Sequence, residues 1–273
     1  LTKAFSNLNI VITGATGVIG STFAKGLAKK GAKIGLLGRD ETKIERLQSE
    51  IDSDKKQTIV LKGDVLDKKS LINAKEIFNN KFGKVDVLLN VAGGNSPTAT
   101  TEDEFYDKQS KKNFFDLDEK GVEQVFNLNY LGSFLPSQVF GEDIIGSELG
   151  TIINISSMNA FTPLTKIPAY SGAKASINNF TQWLATYFAG HIRVNAIAPG
   201  FFETNQNKQL LRNQDGSYSE RANKILSQTP MGRFGNPEDL LGTLYWLIDD
   251  TQSGFVTGVV VPVDGGFSSY SGV

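Results

Sequence analysis

A tyrosine and a lysine four residues apart are the first residues in this chain whose types and spacing suggest chemistry. In Ala169-Tyr170-Ser171-Gly172-Ala173-Lys174 the two share one face if the segment is helical. A phenol of ordinary pKa about 10 is a poor base at neutral pH, and a neighbouring ammonium favours the phenolate. At about 4 Å and an effective dielectric of about 20 the attraction is about 4 kcal/mol. That is about three pKa units, which would bring Tyr170 towards pH 7. Such a group suits proton delivery to a carbonyl and, as its conjugate base, alcohol oxidation. The pair alone also describes an ordinary solvated helix, so its surroundings matter. Ser157 closes the run Asn154-Ile155-Ser156-Ser157 and can donate to a substrate oxygen; capping a turn or helix is the alternative for both serines. Asn129 stands inside a long helical stretch where asparagine is a mediocre helix former; a buried, satisfied amide is its alternative.

A second constellation could hold a dinucleotide. The first strand ends in Thr13-Gly14-Ala15-Thr16-Gly17-Val18-Ile19-Gly20, where a helix should begin. Glycines at such a turn let backbone approach a pyrophosphate, and the helix start offers free N–H groups and a positive dipole end. A plain glycine loop is the alternative. The second strand ends at Leu37-Gly38-Arg39-Asp40. An acid there takes the ribose hydroxyls of NAD, whereas an arginine pairs with the extra phosphate of NADP. Gly38 and Arg39 tilt the expectation for the NAD(P) cofactor towards NADP, while Asp40 keeps NAD open.

These residues need a scaffold, and the pattern supplies one. Apolar runs at Leu8–Thr13, Lys33–Leu37, Thr58–Leu61, Val85–Val91, Thr151–Ile155, Ile192–Ile197 and Gly258–Val263 alternate with amphipathic stretches. The stretches are Val18–Lys30, Glu41–Ile51, Lys68–Phe82, Gly121–Ile145, Ala169–Phe188 and Pro237–Ile248. Strands separated by helices predict right-handed βαβ units and an α/β, Rossmann-type doubly wound fold. About seven parallel strands with helices on both faces are expected, in a single domain over 1–273, with the ligand beyond the carboxyl ends of the strands. The polar stretch near 94–118 reads as a substrate-side insertion.

Bulk composition narrows the partners. The 29 acidic and 28 basic residues nearly cancel, so neither nucleic acid nor an anionic membrane is expected. No cysteine is present, which excludes disulfides and thiolate metal sites and fits a reducing compartment. Apolar runs fall far short of the roughly 18 residues of a membrane span, and Leu1–Asn9 lacks a signal-peptide layout. A cytoplasmic enzyme is expected. His191 is the lone histidine and no acidic cluster accompanies it, so no metal is expected.

Taken together, these segments resemble the classical short-chain dehydrogenase/reductase family along nearly the whole chain. The likeness rests on the Thr13–Gly20 turn, Asp64-Val65, Asn90-Val91-Ala92-Gly93, Asn129, Ser157, Tyr170 with Lys174, and Pro199-Gly200 with Thr204. It implies that Tyr170 is the general acid/base and that Lys174 binds the nicotinamide ribose and depresses the Tyr170 pKa. It further implies that Ser157, rather than Ser156, holds the reacting oxygen, and that Asn129 holds a relay water. Asp64 and Val65 would meet adenine, and Asn90, Ala92 and Gly93 would line the cleft. Pro199, Gly200 and Thr204 would meet the nicotinamide end. Gly14, Thr16, Gly17, Ile19 and Gly20 would cradle the pyrophosphate. The family's usual turn has glycine at the sixth position, where Val18 stands here, and Val91 replaces a frequent asparagine. A homo-oligomer, commonly a tetramer, is also implied.

The segments Ser156–Pro168, Ala198–Asn207 and Val263–Val273 resemble, more narrowly, bacterial D-mannonate oxidoreductases, also called fructuronate reductases. A hexonate needs many hydrogen bonds and a cation for its carboxylate. Asn95, Asn159, Lys166, Asn205, Gln206 and Arg212 are the candidates, with Lys166 the first cation and Arg212 the second. Dehydrogenation of another sugar, polyol or ketoacyl substrate, or a non-catalytic dinucleotide-binding regulator, are the alternatives. Arg233, Trp183 and Trp246 read as structural.

Overall fold

Strand runs rich in Ile, Val and Leu, each closed by a turn, assemble into the sheet of this computed structural model, which describes residues 5–6, 8–148, 150–203 and 211–272. The strands are β1 (Asn9–Thr13), β2 (Lys33–Gly38), β3 (Thr58–Lys62), β4 (Val87–Asn90), β5 (Thr151–Ile155), β6 (Arg193–Pro199) and β7 (Val260–Val263). They pair in the order β3-β2-β1-β4-β5-β6-β7, with parallel register throughout. The chain runs outward from β1 to β3 and then returns to place β4 on the other side of β1. A crevice opens where the direction reverses, beyond the strand tips.

Alternation along the strands feeds two cores. Ile10 and Ile12 of β1 face one side with Phe23, Leu27, Ile34, Leu36, Leu244 and Leu247. Val11, Leu37, Leu61 and Leu88 face the other with Phe78, Phe140, Phe180 and Val194. Both faces of the five inner strands are therefore dry, which is why these strands read as continuous apolar runs. Each fully buried large side chain contributes about 1.5–3 kcal/mol.

The first face is covered by α1 (Val18–Lys29), α2 (Glu41–Ile51) and α8 (Leu241–Ile248). On the second lie α3 (Lys68–Phe82), α5 (Gly132–Ile144) and α6 (Pro168–Tyr187). The helix expected over Gly121–Ile145 is interrupted: α4 (Glu119–Phe126) passes through a π-helical turn, Asn127–Leu131, into α5. Wide turns of this kind re-aim side chains and concentrate at functional sites; here Asn129 stands in its middle. The stretch Pro237–Ile248 begins as a 3₁₀ turn before α8. Helix α7 (Glu220–Ser227), capped by the Ser219 hydroxyl, and the short α9 (Asp250–Ser253) were not legible beforehand. Residues 94–118 hold two 3₁₀ turns, Pro97–Ala99 and Phe114–Asp116. Among the described residues no helix is long and apolar enough to cross a membrane.

Candidate active site

The β1–α1 turn owes its shape to two glycines. Gly14 adopts φ 60°, and a Cβ there would lie 2.8 Å from the Ala92 Cα. A Cβ on Gly20 would lie 2.4 Å from the Gly14 carbonyl oxygen. Gly17 is the N-cap of α1 and supplies no side-chain bond to the first turn, so the opening N–H groups stay available to an anion. Val18 at the family's sixth position is already the first helical residue, a place that asks for no glycine. The Thr13 hydroxyl clasps the tip of β4, accepting from Val91 N at 3.0 Å and Ala92 N at 3.1 Å.

A cavity of about 400 Å³ opens over this turn, within the size range of ligand sites. Gly14, Thr16, Gly17, Ile19 and Gly20 form its floor; Arg39 comes from the β2 tip, Asp64 and Val65 from beyond β3, and Ala92 and Gly93 from beyond β4. Gly38 stands beside Arg39 as expected, and Gly63 and Leu128, not singled out from the sequence, complete the wall. The glycine-lined cradle fits a dinucleotide, whose pyrophosphate needs this close backbone approach. Arg39 is exposed beside it. Asp40 turns away, capping α2 through Lys43 N at 3.1 Å and pairing with Lys43 Nζ at 3.2 Å.

Asn90 requires a correction. It is 1 % exposed and lies beneath the cleft rather than along it, its amide donating to Ser137 Oγ at 3.0 Å and Asn154 Oδ1 at 2.9 Å. It braces β4 against β5 and α5. Gly200 also serves packing: a Cβ there would stand 2.5 Å from the Asp264 Cα, so the glycine lets the ends of β6 and β7 meet. Pro199 is the last residue of β6. Thr204, Asn205 and Gln206 lie outside the described residues.

At the tip of β5 the two serines separate. Ser156 is 2 % exposed and bonds to Asn178 and to the Lys174 carbonyl. Ser157 has extended backbone and makes no capping bond to the Met158–Ala160 turn. Lys174, 3 % exposed, donates to the Ile155 carbonyl at 2.8 Å and sits 5.7 Å from the centre of the Tyr170 ring. Burial pushes the Tyr170 phenol up to about 12, against the Ser157 hydrogen bond that pulls it down. Burial pushes Lys174 down to about 8. The expected depression of Tyr170 is therefore not seen in this arrangement: desolvation dominates, and the Lys174 ammonium is directed at the Ile155 carbonyl.

Asn129 is 1 % exposed. Its amide donates to Gly94 O at 2.7 Å and Val125 O at 2.8 Å and accepts from Gly94 N at 3.2 Å. This side chain is satisfied by backbone, so it holds the Gly93–Gly94 strand tip rather than offering a free amide to water. Gly93 is required there: a Cβ would stand 2.7 Å from Asn129 Oδ1 and 3.2 Å from Lys174 Nζ.

Of the substrate candidates, Asn159 is 2 % exposed and neither amide atom has a hydrogen-bond partner, a costly state that calls for a ligand or water. Lys166 has φ 71°, uncommon for a side-chain-bearing residue. Asn95 is exposed and bonds to Thr100. Arg212 is corrected: its guanidinium is committed to Glu203 by two bonds of 2.9 Å and lies 4.0 Å over the Tyr218 ring. Among the described residues no group of His, Cys, Asp and Glu could hold a metal.

Known proteins share this architecture. Residues 8–215 match the family model described as short chain dehydrogenase. A Bacillus subtilis oxidoreductase of uncharacterized activity, UxuB, is 53 % identical over 96 % of this chain and 95 % of its own length. A Haemophilus influenzae protein solved with bound NAD, its D-mannonate oxidoreductase activity itself a proposal, is 54 % identical. It covers 98 % of this chain and 97 % of its own, with a TM-score of 0.93. Gluconate 5-dehydrogenase of Gluconobacter oxydans is 30 % identical over 97 % of this chain and 96 % of its own. The chain belongs to the short-chain dehydrogenase family and is an oxidoreductase that acts on alcohol groups.

Proposed function

We propose that this oxidoreductase interconverts D-fructuronate and D-mannonate, with Tyr170 as the acid/base. The observation that carries the reading is the buried Lys174 ammonium 5.7 Å from the centre of the Tyr170 ring at the tip of β5, on a backbone that follows the Haemophilus protein with a TM-score of 0.93. When bound, a nicotinamide dinucleotide would supply or take up the hydride. Gly14, Gly17, Gly20, Asp64, Val65, Ala92, Gly93 and Lys174 would hold it. The Ser157 hydroxyl donates to the reacting oxygen and fixes its position. Tyr170, still protonated at neutral pH with a pKa near 12, passes its phenolic proton to that oxygen in reduction and recovers it in oxidation. Asn159, buried with an unpaired amide, offers both a donor and an acceptor to a polyhydroxylated substrate.

The cofactor is NAD(P)(H). Arg39, exposed at the cleft, supports acceptance of the extra phosphate of NADP, and Asp40, spent on α2, does not oppose it. The bound NAD of the Haemophilus protein supports use of NAD as well. A homo-oligomer, a tetramer in the commonest family arrangement, is supported by the stacked Trp183 and Tyr187, 55 % and 67 % exposed on α6. Gluconate oxidation is the second reading, favoured by the Gluconobacter relative.

The test is absorbance at 340 nm with D-fructuronate and either NADH or NADPH. Turnover with one of them is expected. Turnover only with gluconate and an oxidised cofactor would favour the second reading. Cofactor binding without turnover on any sugar acid, polyol or ketoacyl substrate would overturn both in favour of a non-catalytic regulator.

A further inference from the structure

We propose that Lys166, Arg221 and Lys224, gathered around Glu104, form the subsite that takes the substrate carboxylate; the assignment rests on the sugar-acid reading. The four residues come from three separate segments. Glu104 belongs to the 94–118 insertion, Lys166 lies four residues before Tyr170, and Arg221 and Lys224 stand on α7.

Packing brings these segments to the mouth of the site. Ile225 and Leu226 of α7 pack against the cluster of Leu211, Phe234 and Phe201. Phe201 directly follows Gly200 at the tip of β6, so α7 lies over the carboxyl end of the sheet, where the cleft opens. Ala222 is fully buried, which fixes the rotation of the helix. Arg221 and Lys224, three apart, share one face, and that face meets the insertion: Lys224 pairs with Glu104. The insertion is tied to the catalytic segment as well. Thr101 N donates to the Lys166 carbonyl at 2.9 Å, holding Lys166 in its left-handed conformation. Two anchors three residues apart, Thr101 and Glu104, thus join the insertion to Lys166 on one side and to α7 on the other.

The charge balance is uneven. Among the described residues, neither Lys166 nor Arg221 forms an ion pair with a carboxylate. Glu104 is held below the usual carboxylate range, first by its hydrogen bond to Lys224, with the charges of Lys224, Lys166 and Arg221 adding to it. One carboxylate therefore serves three cations. A second carboxylate, carried by the substrate, completes the set, with the guanidinium able to meet it bidentately. Arg212 cannot do this because Glu203 already fills its fork. Lys224 is 64 % exposed, so part of the attraction is long-range and sensitive to salt.

The experiment measures KM and kcat for D-fructuronate in the full-length protein and two variants, with NADH affinity followed by fluorescence. Arg221→Ala should raise KM about tenfold, the loss of one charge-assisted hydrogen bond, with kcat and NADH affinity unchanged within about twofold. Its KM should also depend less on ionic strength. Glu104→Gln removes the competing carboxylate and should lower KM. A merely structural Glu104 would give the opposite sign, because a loosened insertion raises KM. An unchanged KM in Arg221→Ala, or a raised KM in Glu104→Gln, in an enzyme whose parent reduces D-fructuronate, overturns the assignment while leaving the sugar-acid reading intact. A parent that turns over no sugar acid removes the reading and the assignment together.

Discussion

Lys174→Met separates the two jobs of this lysine, because the charge that serves the site also burdens the fold. Burial lowers Lys174 from its ordinary 10.5 to about 8, which at neutral pH corresponds to about 3 kcal/mol of destabilisation. Methionine fills a similar volume without that cost, but it forfeits the bond to the Ile155 carbonyl at 2.8 Å, worth about 1.5–3 kcal/mol. Near neutral pH the two effects roughly cancel, so the discriminating quantity is the pH dependence. The folded pKa lies below the unfolded one. Between them the unfolded chain binds more protons, and wild-type stability rises with pH. The cost is fully present below about pH 8 and fades towards 10.5. Going from about pH 7 to about pH 9.5, the wild type should gain about 2 kcal/mol relative to Lys174→Met. Urea denaturation of both proteins at both pH values reads this directly, with groups common to both cancelling in the difference. A gap between the two proteins that does not change with pH would refute the buried-charge reasoning.

Four further variants follow from the same geometry. Gly20→Ala places a Cβ 2.4 Å from the Gly14 carbonyl oxygen; it should cost about 1–3 kcal/mol in urea denaturation and weaken NADH binding in a fluorescence titration. Arg39→Ala should raise KM for NADPH about tenfold while leaving that for NADH within about twofold, since only the former carries the extra phosphate. Ser157→Ala should lower kcat by about 10²–10³. Ser156→Ala should spare kcat and instead cost about 1 kcal/mol of stability, because it removes the part-buried hydrogen bond from Ser156 to the Asn178 side-chain oxygen.

The parts of this molecule legible in its sequence are those governed by periodicity and by backbone conformation. The inner strands β2, β1, β4, β5 and β6 stood out because both faces are dry, making each run largely apolar. The Thr13–Gly20 turn was legible because Gly14 needs a positive φ and Gly20 a missing Cβ. What stayed hidden depends on long-range partners. The π turn at Asn127–Leu131 carries Asn129, which bonds to Gly94, 35 residues away in sequence. Arg212 looked available because nothing in the pattern announces Glu203 as its partner nine residues earlier. Asn90 looked like a cleft residue because its motif adjoins the cleft, yet its amide has the β5 and α5 polar groups to satisfy. The direction of the Tyr170 shift was misjudged for a related reason: spacing gives the separation of Tyr170 and Lys174 along a helix but says nothing of the Ile155 carbonyl that turns the ammonium aside. Helix α7 escaped notice because eight residues with one buried alanine give too short a pattern to read.

The central claim is that Tyr170 is the proton donor and acceptor of a sugar-acid oxidoreductase, and the measurement closest to it compares Tyr170→Phe with wild type. NADH affinity by fluorescence and D-fructuronate turnover at 340 nm would be read on the same preparations. Removing one hydroxyl leaves the cleft over the β1–α1 turn untouched, so affinity should stay within about twofold, while kcat should fall by about 10²–10⁴. Near-normal turnover in Tyr170→Phe, with cofactor bound, would contradict the account.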